Sequence, residues 1–146
     1  MTALSSVNET IRALEAEVHD EVQSLNQQAR SRAFRAVNAM QGAAYDVLGQ
    51  DGTGRVYRRG AKGVHTASAP GAAPAPDTGN LRRNWRRFVI AEGRGKGARI
   101  VCRIKSDMPY ASILENGTAR MKARPFRQRI IDQAKPEIVH IFEEVR

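Results

Sequence analysis

The chain has 146 residues, of which 24 are Lys or Arg and 15 are Asp or Glu, a formal net charge of +9. That length suits one domain with a modest core and is short for two, and aromatics at 5% leave the core to Ile, Val, Leu, Met and Ala. A single cysteine excludes an internal disulfide framework and a zinc site of several thiolates, and no apolar run approaches the roughly 20 residues of a membrane span.

Residues 1–48 read as helix. Val7, Ile11, Leu14, Val18, Val22 and Leu25 form one apolar stripe at steps of 4, 3, 4, 4 and 3, the pattern of an amphipathic helix. Ser6 with Glu9 three residues on has the form of a capping box. The pattern continues through Ala29, Ala33, Val37, Met40 and Ala44, with no Pro or Gly before Gly42. Either one helix runs to about Leu48, or two meet near Asn26–Gln28. One helix of some 40 residues would be about 60 Å long, more than a small core covers, so its far end would need a partner chain. Met1 to Val7 shows no basic start followed by an apolar block, so no secretory signal is expected and the chain reads as soluble, made in a reducing compartment.

Residues 49–80 differ in kind, with seven glycines and Pro70, Pro74 and Pro76. No apolar period runs through them, and an extended, mobile loop is expected, one that orders against something else. From residue 81 the pattern turns to strand. Trp85, Val89 and Ala91 alternate raggedly, and Ile100, Cys102 and Ile104 alternate cleanly with Arg99, Val101, Arg103 and Lys105. The Gly-rich link Glu92–Gly97 joins them, so an antiparallel pair near 84–92 and 98–105 is expected, apolar on one face and Arg-rich on the other. Phe126, Ile130, Ala134, Ile138, Ile141 and Val145 return to helical spacing, with Pro125 near the start and Pro136 placed to kink or restart the helix. The fold class is α+β: a long N-terminal helix, an extended Gly/Pro-rich loop, and an antiparallel hairpin packed by a C-terminal helix, in one domain of segments 1–48, 49–80 and 81–146.

The charge is uneven. Residues 1–51 hold 4 basic and 7 acidic side chains, residues 52–99 hold 11 and 2, and residues 100–146 hold 9 and 6. A positive field of this kind draws a phosphate backbone or an acidic protein face, and the residues placed to meet one are Arg55, Arg58, Arg59, Lys62, Arg82, Arg83, Arg86, Arg87, Arg94 and Lys96. Arg82-Arg83 and Arg86-Arg87 flank Trp85, an arrangement that nucleic-acid-binding surfaces use, although Trp85 fits better as the anchor of a half-buried strand. His19, His65 and His140 fall one to a region with no metal-ligand spacing. Cys102 suits a small core residue better than a nucleophile, and Gly93–Gly97 lacks the spacing of a phosphate loop. Nothing assembles a nucleophile, base and oxyanion hole. The chain is expected to be no enzyme and to use no cofactor or metal.

Two stretches carry a resemblance. Ser68-Ala-Pro-Gly71, Pro74 and Asp77-Thr-Gly-Asn-Leu81 come first. Tyr110-Ala111, Glu115-Asn-Gly-Thr118 and Ala123-Arg-Pro-Phe126 follow. In this order they resemble the small neck and tail-completion, or head–tail joining, proteins of lambdoid-type tailed bacteriophages, over roughly residues 55–135. Asn116 departs from the family, which more often carries an aromatic there. On their own chemistry, Tyr110 to Asn116 suit one or two helical turns after Pro109. Gly117 suits a C-cap of positive φ, Thr118 opens the crossing to the next helix, Arg124 is placed to pair with Glu115, and Phe126 to plug the core. Thr78, Gly79, Leu81, Tyr110, Ala111, Glu115, Gly117, Thr118, Arg124, Pro125 and Phe126 are thus the fold and interface residues.

The resemblance implies a structural protein of the virion, made in the bacterial host cytoplasm and working as a ring, commonly of six or twelve copies. Its partners would be the adaptor or head-closure protein on one side and the tail terminator or tail tube on the other, with contact to packaged DNA and none with membrane. A tail terminator, or a free non-specific nucleic-acid-binding protein, are the rival expectations.

Overall fold

The computed structural model describes residues 2–58, 60–93 and 97–144, with side chains for all of these except 2–5 and Lys62. Helix α1 is a single span, Thr2–Val47, of 46 residues, about 69 Å at 1.5 Å per residue. There is no break at Asn26–Gln28. The helix starts four residues ahead of Ser6, so Ser6 lies inside it and the Ser6–Glu9 box is not its cap. The apolar positions Val7, Ile11, Leu14, Val18, Val22, Leu25, Ala29, Ala33, Ala36, Met40, Ala44 and Val47 repeat steps of 4, 3 and 4 along its length. Eleven residues in three turns is about 3.67 per turn, close to the 3.6 of a straight helix, so the stripe runs nearly parallel to the axis.

Only the C-terminal half of that stripe is covered. Ala33, Ala36, Ala44 and Val47 are buried, whereas the six residues Val7 to Leu25 are 47–60% exposed. The small alanines let two elements approach α1 closely. Helix α4, Arg127–Glu143, lies antiparallel to it, as Arg35 meets Glu144 at one end and Asp46 meets Gln133 at the other. The hairpin of β3, Trp85–Glu92, and β4, Arg99–Ser106, packs on it as well. Leu48, Leu81, Phe126, Ile130 and Ala134 close the core among these elements, with Trp85 and Ile104 against it. Pro136 neither breaks nor restarts α4, which runs through it. It sits on the exposed face, where the carbonyl of Asp132 that it leaves unbonded can turn to water. No helix among the described residues is long and apolar enough to cross a membrane.

The β3–β4 register pairs Trp85 with Ser106, Val89 with Cys102 and Glu92 with Arg99, one residue from the expected bounds. Its faces are less pure than expected. The inner face carries Trp85, Val89, Ile100, Cys102 and Ile104 but also Arg87, which reaches Asn38 of α1. The outer face carries Arg86, Arg99, Arg103 and Lys105 and, between them, Phe88, Ile90 and Val101.

The segment 49–80, expected as one extended loop, contains regular structure. It holds a small antiparallel hairpin, β1 Val56–Arg58 and β2 Val64–Thr66, joined by a 3-10 turn at Gly60–Lys62. Its legs are bonded to each other, Gly54 N–H to the Ala67 carbonyl at 2.7 Å and Ala67 N–H to that of Arg55 at 3.0 Å. A Cβ on Gly52 would lie 1.9 Å from the Thr66 oxygen, so the crossing of the legs admits only glycine there. Three-residue strands, exposed but for the half-buried His65 and Thr66, are too short to leave a periodicity to read, which is why the sequence pattern misses them. Ala67, Ser68 and Pro74 are buried, and Asn80–Arg83 forms the short helix α2. After β4, the helix α3, Ala111–Asn116, precedes the crossing to α4.

Candidate assembly interfaces

The two sequence motifs, some 30 residues apart, meet in space. Thr78, Gly79 and Leu81 line one side of a cavity of about 440 Å³, and Tyr110, Leu114 and Arg124 line the other. Gly71 N–H donates to the Ala123 carbonyl at 3.1 Å, and Arg129 Nη2 donates to the Gly71 carbonyl at 3.1 Å. The Ser68–Gly71 stretch is therefore held by the second motif and by α4, within the same chain.

Each motif residue has a local reason. Gly79 has φ 74° and starts α2, and Arg83 Nη2 closes the turn on the Thr78 carbonyl at 2.8 Å. Leu81 and Phe126 are both in the core, and the Trp85 ring meets that of Phe126 edge-on at 6.3 Å. Ala111, half-buried, packs against the same core and opens α3. Gly117 caps α3 with φ 75°, its N–H donating to the Ile113 carbonyl, as expected. A Cβ there would lie 2.7 Å from both Ala123 N and the Met121 oxygen. Thr118 Oγ1 accepts from Arg120 N–H at 3.2 Å and Met121 N–H at 3.1 Å, making a tight turn of the crossing.

Glu115 does not pair with Arg124. Its Oε2 accepts from the backbone N–H of Phe126 at 2.9 Å and of Arg127 at 3.2 Å. It is a cap supplied from another helix: the first N–H groups of α4 have no partner within α4, and a carboxylate suits the positive end of the helix dipole. Pro125 precedes that start and has no N–H to satisfy. The Arg124 backbone N–H donates to the Leu114 carbonyl at 2.8 Å, while its side chain faces the cavity. Sequence spacing alone offers Glu115 a cation as partner, and only the packing of α3 against the start of α4 offers two amides instead.

Among the described residues, the basic side chains do not form one surface. Trp85 is turned into the core, so it gives the Arg82–Arg87 block no aromatic platform. Arg82 lies over the Tyr45 ring at 3.6 Å and donates to the Tyr45 carbonyl. Arg83 bonds Thr78, Arg87 faces inward to Asn38, and Arg86 faces outward and pairs with Asp107. Arg86 and Lys105 together hold the Asp107 carboxyl below the usual range. Arg55 sits over the Tyr57 ring at 5.4 Å, and Arg58 ends β1. Arg59, Arg94 and Lys96 lie outside the described residues, as does the Lys62 side chain. His65 faces Asp77, His140 faces Glu144, and no group of three or more metal-ligating side chains occurs among the described residues. Burial pushes the Cys102 thiol up, and its Sγ lies 3.6 Å from the Ala33 carbonyl, a core contact.

Among the described residues, apolar side chains stand exposed on the stripe Val7 to Leu25 of α1, which sequence spacing had marked, and at Phe34 of α1 and Ile131, Val139 and Phe142 of α4. The outer face of β3–β4, which sequence spacing had marked only as Arg-rich, carries Ile90 at 37% exposure with Phe88 and Val101 half-buried. Compared with family models, with curated proteins and with solved structures, the chain matches none.

Proposed function

We propose that this chain is a structural protein of the neck of a tailed-phage virion, joining head to tail as a ring of copies. The observation that carries an assembly role is the bare stripe of α1. Six large apolar side chains project from a helix that outruns its own core, and a solitary chain gains nothing from them: Val and Ile are poorer helix formers than Ala, and apolar patches of this extent mark interaction sites. The neck assignment itself rests on the resemblance of the two motifs, and their convergence on one cavity supports treating them as a single unit. The work is interface formation rather than catalysis, with many copies multiplying weak contacts into a durable joint. Its neighbours in this reading are the adaptor or head-closure ring and the tail terminator or tail tube, and its location is the virion. A role as the tail terminator would use the same ring geometry with a different neighbour. The inward turn of Trp85 and the internal partners of Arg82, Arg83, Arg86 and Arg87 give a free nucleic-acid-binding role no support.

Electron microscopy of a lysate in which the gene is disrupted tests the reading. DNA-filled heads and finished tails lying apart are expected. Normal joined particles would refute it.

A further inference from the structure

We propose that the N-terminal arm of α1, Val7–Leu25, docks on the outer face of the β3–β4 hairpin of a second copy, so that copies join head to tail. This deepens the ring reading and rests on it for the partner being a second copy. What specifies the two surfaces is on the molecule itself.

The arm is acidic around an apolar stripe. Residues 2–28 hold Glu9, Glu15, Glu17, Asp20 and Glu21 against one cation, Arg12. On a helical wheel Glu15 and Glu21 fall on opposite edges of the stripe, each about 60° from its centre. The hairpin face is the complement: Phe88, Ile90 and Val101 in the middle, with Arg99, Arg103 and Lys105 around them. Its two carboxylates, Glu92 and Asp107, are already engaged with Arg99 and with Arg86 and Lys105. The lengths agree as well. Val7 to Leu25 spans about 27 Å of helix, and eight-residue strands span about 26 Å.

Two arms pairing with each other is the weaker arrangement. It would set Glu15 and Glu21 of each against the other's carboxylates. The 11-residue repeat also departs from the heptad on which a left-handed two-stranded coiled coil is built. Nor does the arm cover its own hairpin. Residues 33–47 of the same continuous helix already occupy the inner face, so Val7–Leu25 cannot reach the outer one. The hairpin would end up between its own α1 and a neighbour's arm. Six side chains about half exposed offer about 500 Å² on the arm and a total near 1,000 Å² with the facing sheet, the lower end of specific interfaces. Because arm and face are different patches, the contact is head to tail, and a head-to-tail contact closes into a ring where its rotation permits.

Sedimentation velocity of the full chain tests this with two exposed-surface variants, an arm variant, Leu14→Asn with Val18→Asn, and a face variant, Arg103→Glu with Lys105→Glu. Circular dichroism melts check that both stay folded. The wild-type chain is expected to sediment as an assembly, and each variant alone to associate at least tenfold more weakly. An equimolar mixture of the two is expected to form one-to-one dimers and stop there, since each supplies the one intact surface the other lacks. If the face variant assembles like the wild type, or the mixture stays monomeric, or the wild type is monomeric up to about 0.1 mM, the docking is wrong. A monomeric wild type would leave the lysate result standing, and joined particles in the lysate would leave the sedimentation result standing, so the two readings fail separately.

Discussion

Replacing Glu115 probes the joint between α3 and α4, where the structure departs most from what spacing suggests. In Glu115→Ala the amides of Phe126 and Arg127 lose the carboxylate that accepts from them at 2.9 and 3.2 Å. Phe126 is 2% exposed, so its amide is poorly placed to recover water, while Arg127 is exposed and recovers most of its loss. A lost helix cap plus the interaction of the charge with the helix end comes to about 1–2 kcal/mol. For a chain of this size that is a fall in Tm of about 3–8 °C. Glu115→Gln keeps an acceptor oxygen and gives up the charge, so it should lose about half as much. Arg124 is not the partner, so a double-mutant cycle of Glu115→Ala with Arg124→Met should show coupling below about 0.5 kcal/mol. Urea denaturation followed by circular dichroism measures the wild type and all four variants. An alanine variant as stable as the wild type, or a coupling above about 1 kcal/mol, would refute the cap.

Phe126→Ala opens a cavity against Trp85, Leu81 and Ile130 and should cost about 3–5 kcal/mol, seen as a lower urea midpoint with the slope unchanged. Gly117→Ala is strained twice, by its φ of 75° and by a Cβ 2.7 Å from Ala123 N, and should destabilise by about 2 kcal/mol or more. Gly42→Ala is the control: it lies inside α1 with nothing within 4 Å of the new Cβ, and should stabilise by about 0.5–1 kcal/mol in the same thermal melts. Arg35 bonds both oxygens of Glu144 at 2.6 and 2.7 Å and holds that carboxyl below the usual range. A folded-state value below the unfolded one means a contribution that is complete above the usual carboxylate range and is lost as pH falls through the folded value. Glu144→Gln should therefore flatten the acid limb of a stability–pH curve, and an unchanged acid limb would count against the clamp.

Local chemistry and distant packing divided the legibility of this protein between them. The span of α1, the β3–β4 pairing to within a residue, the C-cap at Gly117 and the core position of Phe126 were readable because each follows from a short-range rule: a helical or two-residue period, a glycine at positive φ, an apolar residue at a periodic position. The bare stripe was readable too, since a helix too long for its core is a matter of length. What spacing could not supply were pairings between segments far apart. The β1–β2 hairpin is held by backbone bonds between strands of three residues, too short to leave a side-chain pattern. Glu115 found two amides at the start of α4 instead of Arg124 because the crossing after Gly117 turns it there. Arg87 went inward and Arg86 outward because the register of one strand against α1 separates neighbours onto opposite faces, dissolving a basic block that is continuous only in sequence. The same register set Phe88, Ile90 and Val101 among the outward cations. Which residues are apolar and which are charged was therefore written along the chain, but which of them share a surface was decided by how the hairpin lies on α1.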